Sequence, residues 1–418
     1  MPEPPVQELV EHLFRHRAGQ MLATLTRIFG PRHLDLAEDV VQEALMQALR
    51  QWPFRGVPDN PSAWLVQVAK NRALDRLRRE ESLREKEAEL RRWAATTAPL
   101  VELDEGFADD QLRMMFMCCH DALSCDARVA LTLKTIGGFD VAEIARAFLA
   151  PEGTIAQRLV RAKRKLQEDD QPLAMPTTKE LPARLDSVME VLYLMFNEGY
   201  AAHQGEELIR RDLVQESLRL AALLLRHPPT ALPKVHALAA LMLFQASRLS
   251  ARLDEDGNLL LLQDQDRSLW DRGMIQMAFG HLREAGRGNE LSEFHLQAGI
   301  ASCHAMASSW DATDWRQIVR YYDLLWAVCP SPIVALNRAV AVAQIEGAEA
   351  GLRLIAPLEA DQSLPGYYLL AATRGELLRR LGRCDEARSS FESALDRVTS
   401  EPVRRYLLKK LRSLDELA

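Results

Sequence analysis

The sequence contains no apolar run approaching the roughly 18 residues of a membrane-spanning helix, so no membrane partner is expected. Its opening, Met1–Pro5, has no basic region followed by an apolar stretch, and no secretory leader is expected. Cysteine is scarce: six in 418 residues cannot frame a disulfide scaffold, and a reducing cytoplasm is the simplest setting. Alternating β-branched stretches joined by Asn-Gly turns are missing, which argues against a sheet protein. There is no Walker glycine loop, Gly-x-Ser-x-Gly elbow or His-Glu-x-x-His pattern, so nothing marks an enzyme or calls for a cofactor. Cys118, Cys119, His120 and Cys125 are close together but not at a Cys-x2-Cys spacing. Their segment reads as a helix facing the core, and no metal is expected.

What is present is a soluble, globular composition, 48% hydrophobic and 27% charged. A net charge of −7 taken alone argues against nucleic acid, but binding depends on local charge. Arg72–Arg79 and Arg158–Lys165 are strongly basic, and an acidic stretch, Glu102–Asp110, lies between them. Helical periodicity runs almost throughout, which predicts an all-α fold. Residues 5–95 and 111–168 read as two small helical domains, the second a helix-turn-helix. Residues 183–418 read as a large C-terminal helical-repeat domain. Segments 96–110, acidic with no clear apolar face, and 169–182, with three prolines, read as linkers. In the C-terminal part, first helices are expected near Phe294, Ile333 and Tyr367, with partners near Asp314, Ala348 and Asp385. That spacing is close to the 34-residue tetratricopeptide period. Gly375, Leu378, Gly382, Ala387, Phe391 and Ala394 make the last pair the best fit. Stacked pairs of this kind present a curved, protein-binding surface; a plain helical bundle is the alternative.

Three segments carry the functional signal. Residues 35–49 form an amphipathic helix with Leu36, Ala37, Val40, Val41, Ala44, Leu45 and Ala48 on one half. Asp35, Glu38, Asp39, Gln42 and Glu43 share the other half, and Met46 and Leu49 project from within that polar arc. Apolar side chains ringed by acids suit a docking surface for a basic, partly apolar helix. Residues 60–79 begin with an Asn60 cap and Pro61 and continue into a basic helix. Lys70, Arg72, Arg76, Arg78 and Arg79 can hold phosphates, Asn71 can read a base, and Trp64 can stack on one. The preceding loop, residues 51–59, could hold an unstacked base. Residues 139–166 are the most specific signal. A short helix packs through Ala142, Ile144, Ala145 and Phe148, a turn follows, and a second helix starts near Thr154. Ile155, Leu159, Ala162 and Leu166 anchor it, while Thr154, Gln157, Arg158, Arg161, Arg164 and Lys165 face out, as a major-groove recognition helix requires.

In this order the three segments resemble the extracytoplasmic-function sigma factors of RNA polymerase, over residues 5–168. The resemblance implies an acidic helix (region 2.2) that docks on the β′ clamp coiled coil, and a basic helix with its loop that melts and reads the −10 element. It also implies a helix-turn-helix (region 4.2) that reads the −35 element beside the β flap. The expected partners are therefore core polymerase and promoter DNA. Ala156 and Gln157 stand where many members have a basic residue and a serine, so promoter preference does not carry over. The remainder resembles the subgroup with a long tetratricopeptide-like extension, on the stretches FNEGY (196–200), RSLWDR (267–272) and PSPIVALNRAVAV (330–342). There the extension is thought to regulate the factor in cis, with a further protein partner open. FNEGY and RSLWDR could bring Asn197, Glu198, Tyr200, Trp270, Asp271 and Arg272 into one pocket, or serve as core hydrogen bonding. Without the resemblance, the helix-turn-helix alone would fit a one-component regulator with a C-terminal sensor.

Overall fold

The computed structural model describes residues 6–79, 100–148, 150–169, 173–200, 209–255, 257–359, 367–398 and 400–415. Among them there are helices and turns but no strand, only an isolated bridge between Leu253 and Leu259. Helix α1 (Val6–Phe29) turns at Gly30, whose φ of 88° an L side chain rarely adopts, into α2 (Leu34–Arg55). The buried stripe of α2 is Leu34, Ala37, Val40, Val41, Ala44, Ala48 and Trp52. Expected as a helix over 35–49, α2 runs on through Pro53. That residue sits on the exposed side, where water can replace the lost hydrogen bond. Gly56, with φ 79°, ends the helix by donating its N–H to the Trp52 carbonyl at 3.0 Å. The loop expected over 51–59 is therefore confined to 56–60. Asn60 caps α3 (Pro61–Arg79), its Oδ1 accepting from the Ala63 N–H at 3.0 Å.

A linker was expected over 96–110, but helix α4 spans Leu100–Cys118. The acidity there is partly structural. Asp110 is 4% exposed, accepts from the Thr24 hydroxyl at 2.8 Å, and pairs with Arg27 and Arg113, each at 2.9 Å. Helices α5 (Cys125–Thr135), α6 (Val141–Phe148) and α7 (Glu152–Asp169) form the helix-turn-helix unit. Asp140 and Glu143 make a reciprocal cap at the start of α6, Oδ1 accepting from Glu143 N at 2.6 Å and Oε2 from Asp140 N at 2.8 Å. Ile155, Leu159, Ala162 and Leu166 anchor α7 as its pattern predicts.

The chain divides into two compact units, Met1–Leu194 and Met195–Ala418. The two small domains expected at the N-terminus thus share one unit. At Gly19 the backbone of α1 rests on the end of α5 so closely that a Cβ would lie 2.3 Å from the Ile136 carbonyl oxygen. The division falls inside α8 (Leu181–Tyr200) rather than near residue 183. Arg184 donates to the Phe116 carbonyl at 2.5 Å and Ser187 accepts from Arg128 at 3.1 Å, which ties the first turns of α8 to the N-terminal unit.

In the C-terminal unit, α10 (Pro233–Ala246) is apolar on nearly every face and therefore central. Around and after it come α9 (Arg211–Arg226), α11 (Arg272–Ala285) and α12 (Glu293–Met306). There follow α13 (Trp315–Val328), α14 (Pro332–Glu346), α15 (Ala348–Glu359), α16 (Tyr368–Arg380), α17 (Cys384–Leu395) and α18 (Glu401–Asp415). First helices start at Glu293, Pro332 and Tyr368 and partners at Trp315, Ala348 and Cys384, each within one residue of expectation. Asp314 and Ser331 cap α13 and α14 by accepting the N–H groups of Gln317 and Val334. Gly375 lets the Phe391 ring approach: a Cβ there would be 2.8 Å from it. Leu378, Ala387, Phe391 and Ala394 are all buried in that last core cluster.

Candidate nucleic-acid and docking interfaces

The outer side of α2 is divided between an open and a covered part. Met46 and Leu49 are exposed, at 49% and 41%, and Gln42 is exposed beside them. The four acids are all engaged within the unit. Arg76 of α3 pairs with Asp39 at 3.1 Å and Glu43 at 2.5 Å, and Arg72 approaches Glu43 at 3.9 Å. The Glu43 hydrogen bond, chiefly, raises the Arg76 pKa. Lys163 of α7 pairs with Asp35 at 3.2 Å and Glu38 at 2.5 Å, and Gln167 donates to Asp35 at 3.1 Å. Burial by itself would lower the Lys163 pKa. The charge and hydrogen bond of Glu38, helped by Asp35, outweigh it and leave the pKa raised. Lys163 and Glu38 are only 14% and 13% exposed, so water screens this pair little.

On α3, Trp64 does not stand free. It packs edge-on against the buried Trp52, centroids 5.6 Å apart, and the aromatic that projects is Phe54, 88% exposed. Phe54 belongs to the 51–59 stretch, whose pattern reads as a loop. Asn71 accepts from Gln67 at 3.1 Å and Arg72 donates to Gln47 at 3.3 Å, both on the surface. Lys70 is half-buried, and the side chains of Arg78 and Arg79 lie outside the described ones.

On α7, Thr154, Gln157, Arg161, Arg164 and Lys165 are exposed opposite the anchored face. Arg158 is drawn back by Asp126 at 3.2 Å. Arg161 donates to Gln157 at 3.3 Å, Arg164 pairs with Glu168 at 2.8 Å, and Lys165 donates to the Ala122 carbonyl. Lys163 was not among the sequence candidates. Its signal is its place between Ala162 and Leu166, at the flank of the buried stripe, where a lysine stem is covered and its ammonium needs a counter-charge.

Cys118 and Cys119 are buried and share hydrogen bonds with Thr135 and Thr132, at 3.1 and 3.8 Å. Burial raises both pKa values, that of Cys119 to about 12, so both are neutral thiols. In the C-terminal unit Tyr200 and Trp270 meet in one cluster, joined by Arg248, Arg252 and Arg267. Two other residues of the second motif have local structural roles. Asp271 caps α11 through the Met274 N–H at 2.9 Å, and Arg272 donates to the Arg267 carbonyl at 3.5 Å.

Residues 13–83 match the family model for Sigma-70 region 2, and residues 113–166 that for Sigma-70 region 4. Residues 184–286 match a family of unknown function (DUF6596). An uncharacterized protein of Rhizobium meliloti (strain 1021) is 40% identical over 396 residues, covering 94% of this chain and 92% of that one. The ECF RNA polymerase sigma factor SigK of Mycobacterium ulcerans (strain Agy99) is 29% identical, over 34% of this chain and 80% of its own length. SigK of Mycobacterium tuberculosis (strain ATCC 25618 / H37Rv) is 27% identical, over 38% and 85%. No solved structure matches.

Proposed function

We propose a mode of action that proceeds from the family to which this chain belongs, the extracytoplasmic-function RNA polymerase sigma factors with a long C-terminal extension. As a member, it directs promoter recognition by RNA polymerase, and the one-component regulator is not favoured. On our reading α2 docks on the β′ clamp coiled coil through Met46, Leu49 and the surrounding acids. The α3 helix with Phe54 engages the −10 element, α7 reads the −35 element near the β flap, and the work is done in the cytoplasm without catalysis by the chain itself. The observation that carries this reading is α7: an apolar stripe anchored in a three-helix unit, with Thr154, Gln157, Arg161, Arg164 and Lys165 all outward.

The ion pairs from Lys163 to Asp35 and Glu38 add a second element. They hold the region that reads DNA against the helix that binds polymerase. We read this as a closed form that must open for holoenzyme to assemble. The stacked helix pairs of the C-terminal unit, tetratricopeptide-like in spacing, regulate the factor in cis and offer a surface for a further protein partner.

Transcription from a defined promoter with purified core enzyme tests the whole reading. No promoter-specific transcript would overturn it. Comparing the full chain with one ended after Leu194, which keeps the α8 turns that Arg128 and Arg184 hold, tests regulation in cis. A difference of at least about five-fold is expected, and equal activity would refute that part.

For the DNA face, Arg161→Ala should cost roughly 1–3 kcal/mol of promoter affinity if it reads a base. Arg158→Ala should cost less, because Asp126 already holds its guanidinium. Holoenzyme binding to promoters with altered −35 sequences, at two salt concentrations, separates base from phosphate contact: a phosphate contact lowers affinity for all sequences and reduces the salt slope by about one. If neither variant loses affinity, the assigned face is wrong.

A further inference from the structure

The C-terminal unit contains a concentration of positive charge that no ion pair among the described residues neutralises. The Arg252 guanidinium lies 3.9 Å from the centroid of the Tyr200 ring, and that of Arg248 lies 5.9 Å from the same ring and 5.8 Å from Trp270. Arg267 lies over Trp270 at 4.8 Å. Arg252 and Trp270 are buried, 8% and 3% exposed. Among the described residues no carboxylate forms an ion pair with Arg248, Arg252 or Arg267; their hydrogen bonds go to the Tyr200 hydroxyl and carbonyl, Gln245, and the carbonyls of His304 and Ala307. Burial lowers the Arg252 and Arg267 pKa values, and the charge of Arg248 lowers both further.

Three enclosed donor or acceptor atoms of this one cluster lack a partner among the described residues: Arg267 Nη2, Trp270 Nε1 and His304 Nδ1. His304, whose carbonyl Arg267 holds at 2.5 Å, is itself neutral, its pKa pushed down to about 3 by burial and then by Arg248 and Arg267. Desolvated cations and unsatisfied donors are costly unless something completes them. An oxyanion does so, since guanidinium forks and an indole N–H are the donors that carboxylate and phosphate oxygens accept from.

A cavity of about 270 Å³ lies in the same unit, with none of the three arginines in its wall. Its walls include Leu259, Leu261, Val340 and Leu369. Two more wall residues connect it to the arginines. Trp310 stacks on His304, centroids 6.2 Å apart, and Tyr368 lies within electrostatic range of Arg252. The one carboxylate in the cavity wall, Glu376, is already matched by Arg379 at 2.7 Å and by Arg380 and Lys410 at 3.4 Å, so the wall does not repel an anion. We propose that the C-terminal unit binds a small amphiphilic acid here. The carboxylate or phosphate head sits among Arg248, Arg252, Arg267 and Trp270, and the apolar body reaches past Tyr368 and Trp310 into the cavity. This goes beyond promoter recognition and does not depend on how the unit acts on transcription.

The test is calorimetric titration of the full-length protein with octanoate, octyl phosphate, octanol and inorganic phosphate, below the micellar range. At least one of the two acids should bind, ten-fold or more tighter than octanol or inorganic phosphate; which acid is preferred identifies the head group. Arg248→Gln should weaken it at least ten-fold with an unchanged helical spectrum. Arg267→Gln should do the same, but it also removes the ties to His304 and Ala307, so Arg248→Gln decides if that variant fails to fold. The proposal is overturned if neither acid binds, if octanol or inorganic phosphate binds as tightly, or if Arg248→Gln binds like the parent.

Discussion

Replacing Asp39 and Glu43 by arginine together is expected to weaken binding to core RNA polymerase by about 100-fold, roughly 2.7 kcal/mol. The two carboxylates flank the exposed Met46 and Leu49, so reversal both removes attraction for a basic partner helix and adds repulsion at the centre of the contact. The fold should tolerate the change. The pairs these acids make with Arg76 are partly solvated, with Asp39 56% and Glu43 38% exposed, and such pairs contribute at most about 1 kcal/mol each. The contact between α2 and α3 keeps its apolar anchor, Trp52 against Trp64. Titrating fluorescently labelled protein with core enzyme measures the effect, with the helical spectrum as control. Full affinity in a normally folded variant would remove this face from the docking surface.

Lys163→Glu is expected to have the opposite effect and tighten core binding by about 10- to 100-fold. It places a third carboxylate beside Asp35 and Glu38 at a site that is largely shielded from water. Breaking a fully buried pair costs about 3–5 kcal/mol and a surface pair under about 1, so a change of about 2 kcal/mol lies between the two limits. If polymerase binds only the open form, its apparent affinity rises in proportion to the open fraction, up to the point where that form dominates. Lys163 is not one of the outward α7 residues, so its loss leaves the expected DNA face in place. Small-angle scattering should record a larger radius, and a second change, Asp35→Lys with Glu38→Lys, should restore the closed form. An unchanged radius and unchanged affinity would mean that the pair does not gate assembly. A pH switch near neutrality is not expected. The raised Lys163 pKa means its stabilisation is complete below the ordinary lysine value, about 10.4, and is lost only as pH rises through the higher folded value.

Among the four acids of α2, pattern reading placed every carboxylate on the outer arc, and the structure leaves them there, but it could not say what covers them. The counter-charges come from Arg76, 33 residues beyond Glu43, and from Lys163, 125 residues beyond Glu38. Trp64 and Phe54 show the same limit at shorter range. Both are aromatic and both adjoin a basic helix, yet one packs on Trp52 and the other projects into solvent, because the continuation of α2 through Pro53 sets their depth. Residues 96–110 show no clear apolar face and read as a linker, whereas the burial of Asp110 depends on Thr24 and Arg27 of a different helix.

Local pattern was enough for the all-α class, the buried stripes of α2 and α7, the helix-turn-helix and the starts of six C-terminal helices. Each of these is a local property, set by a period of 3.6 residues, a cap or a turn-forming residue within a few positions. Long-range packing sets the rest: that the two N-terminal domains share one unit, which acids are covered, and that Arg248, Arg252 and Arg267 converge with no ion-paired carboxylate among the described residues. Those outcomes depend on which surfaces meet between residues far apart in the chain, and helical periodicity says which face of a helix is apolar but not what packs against it.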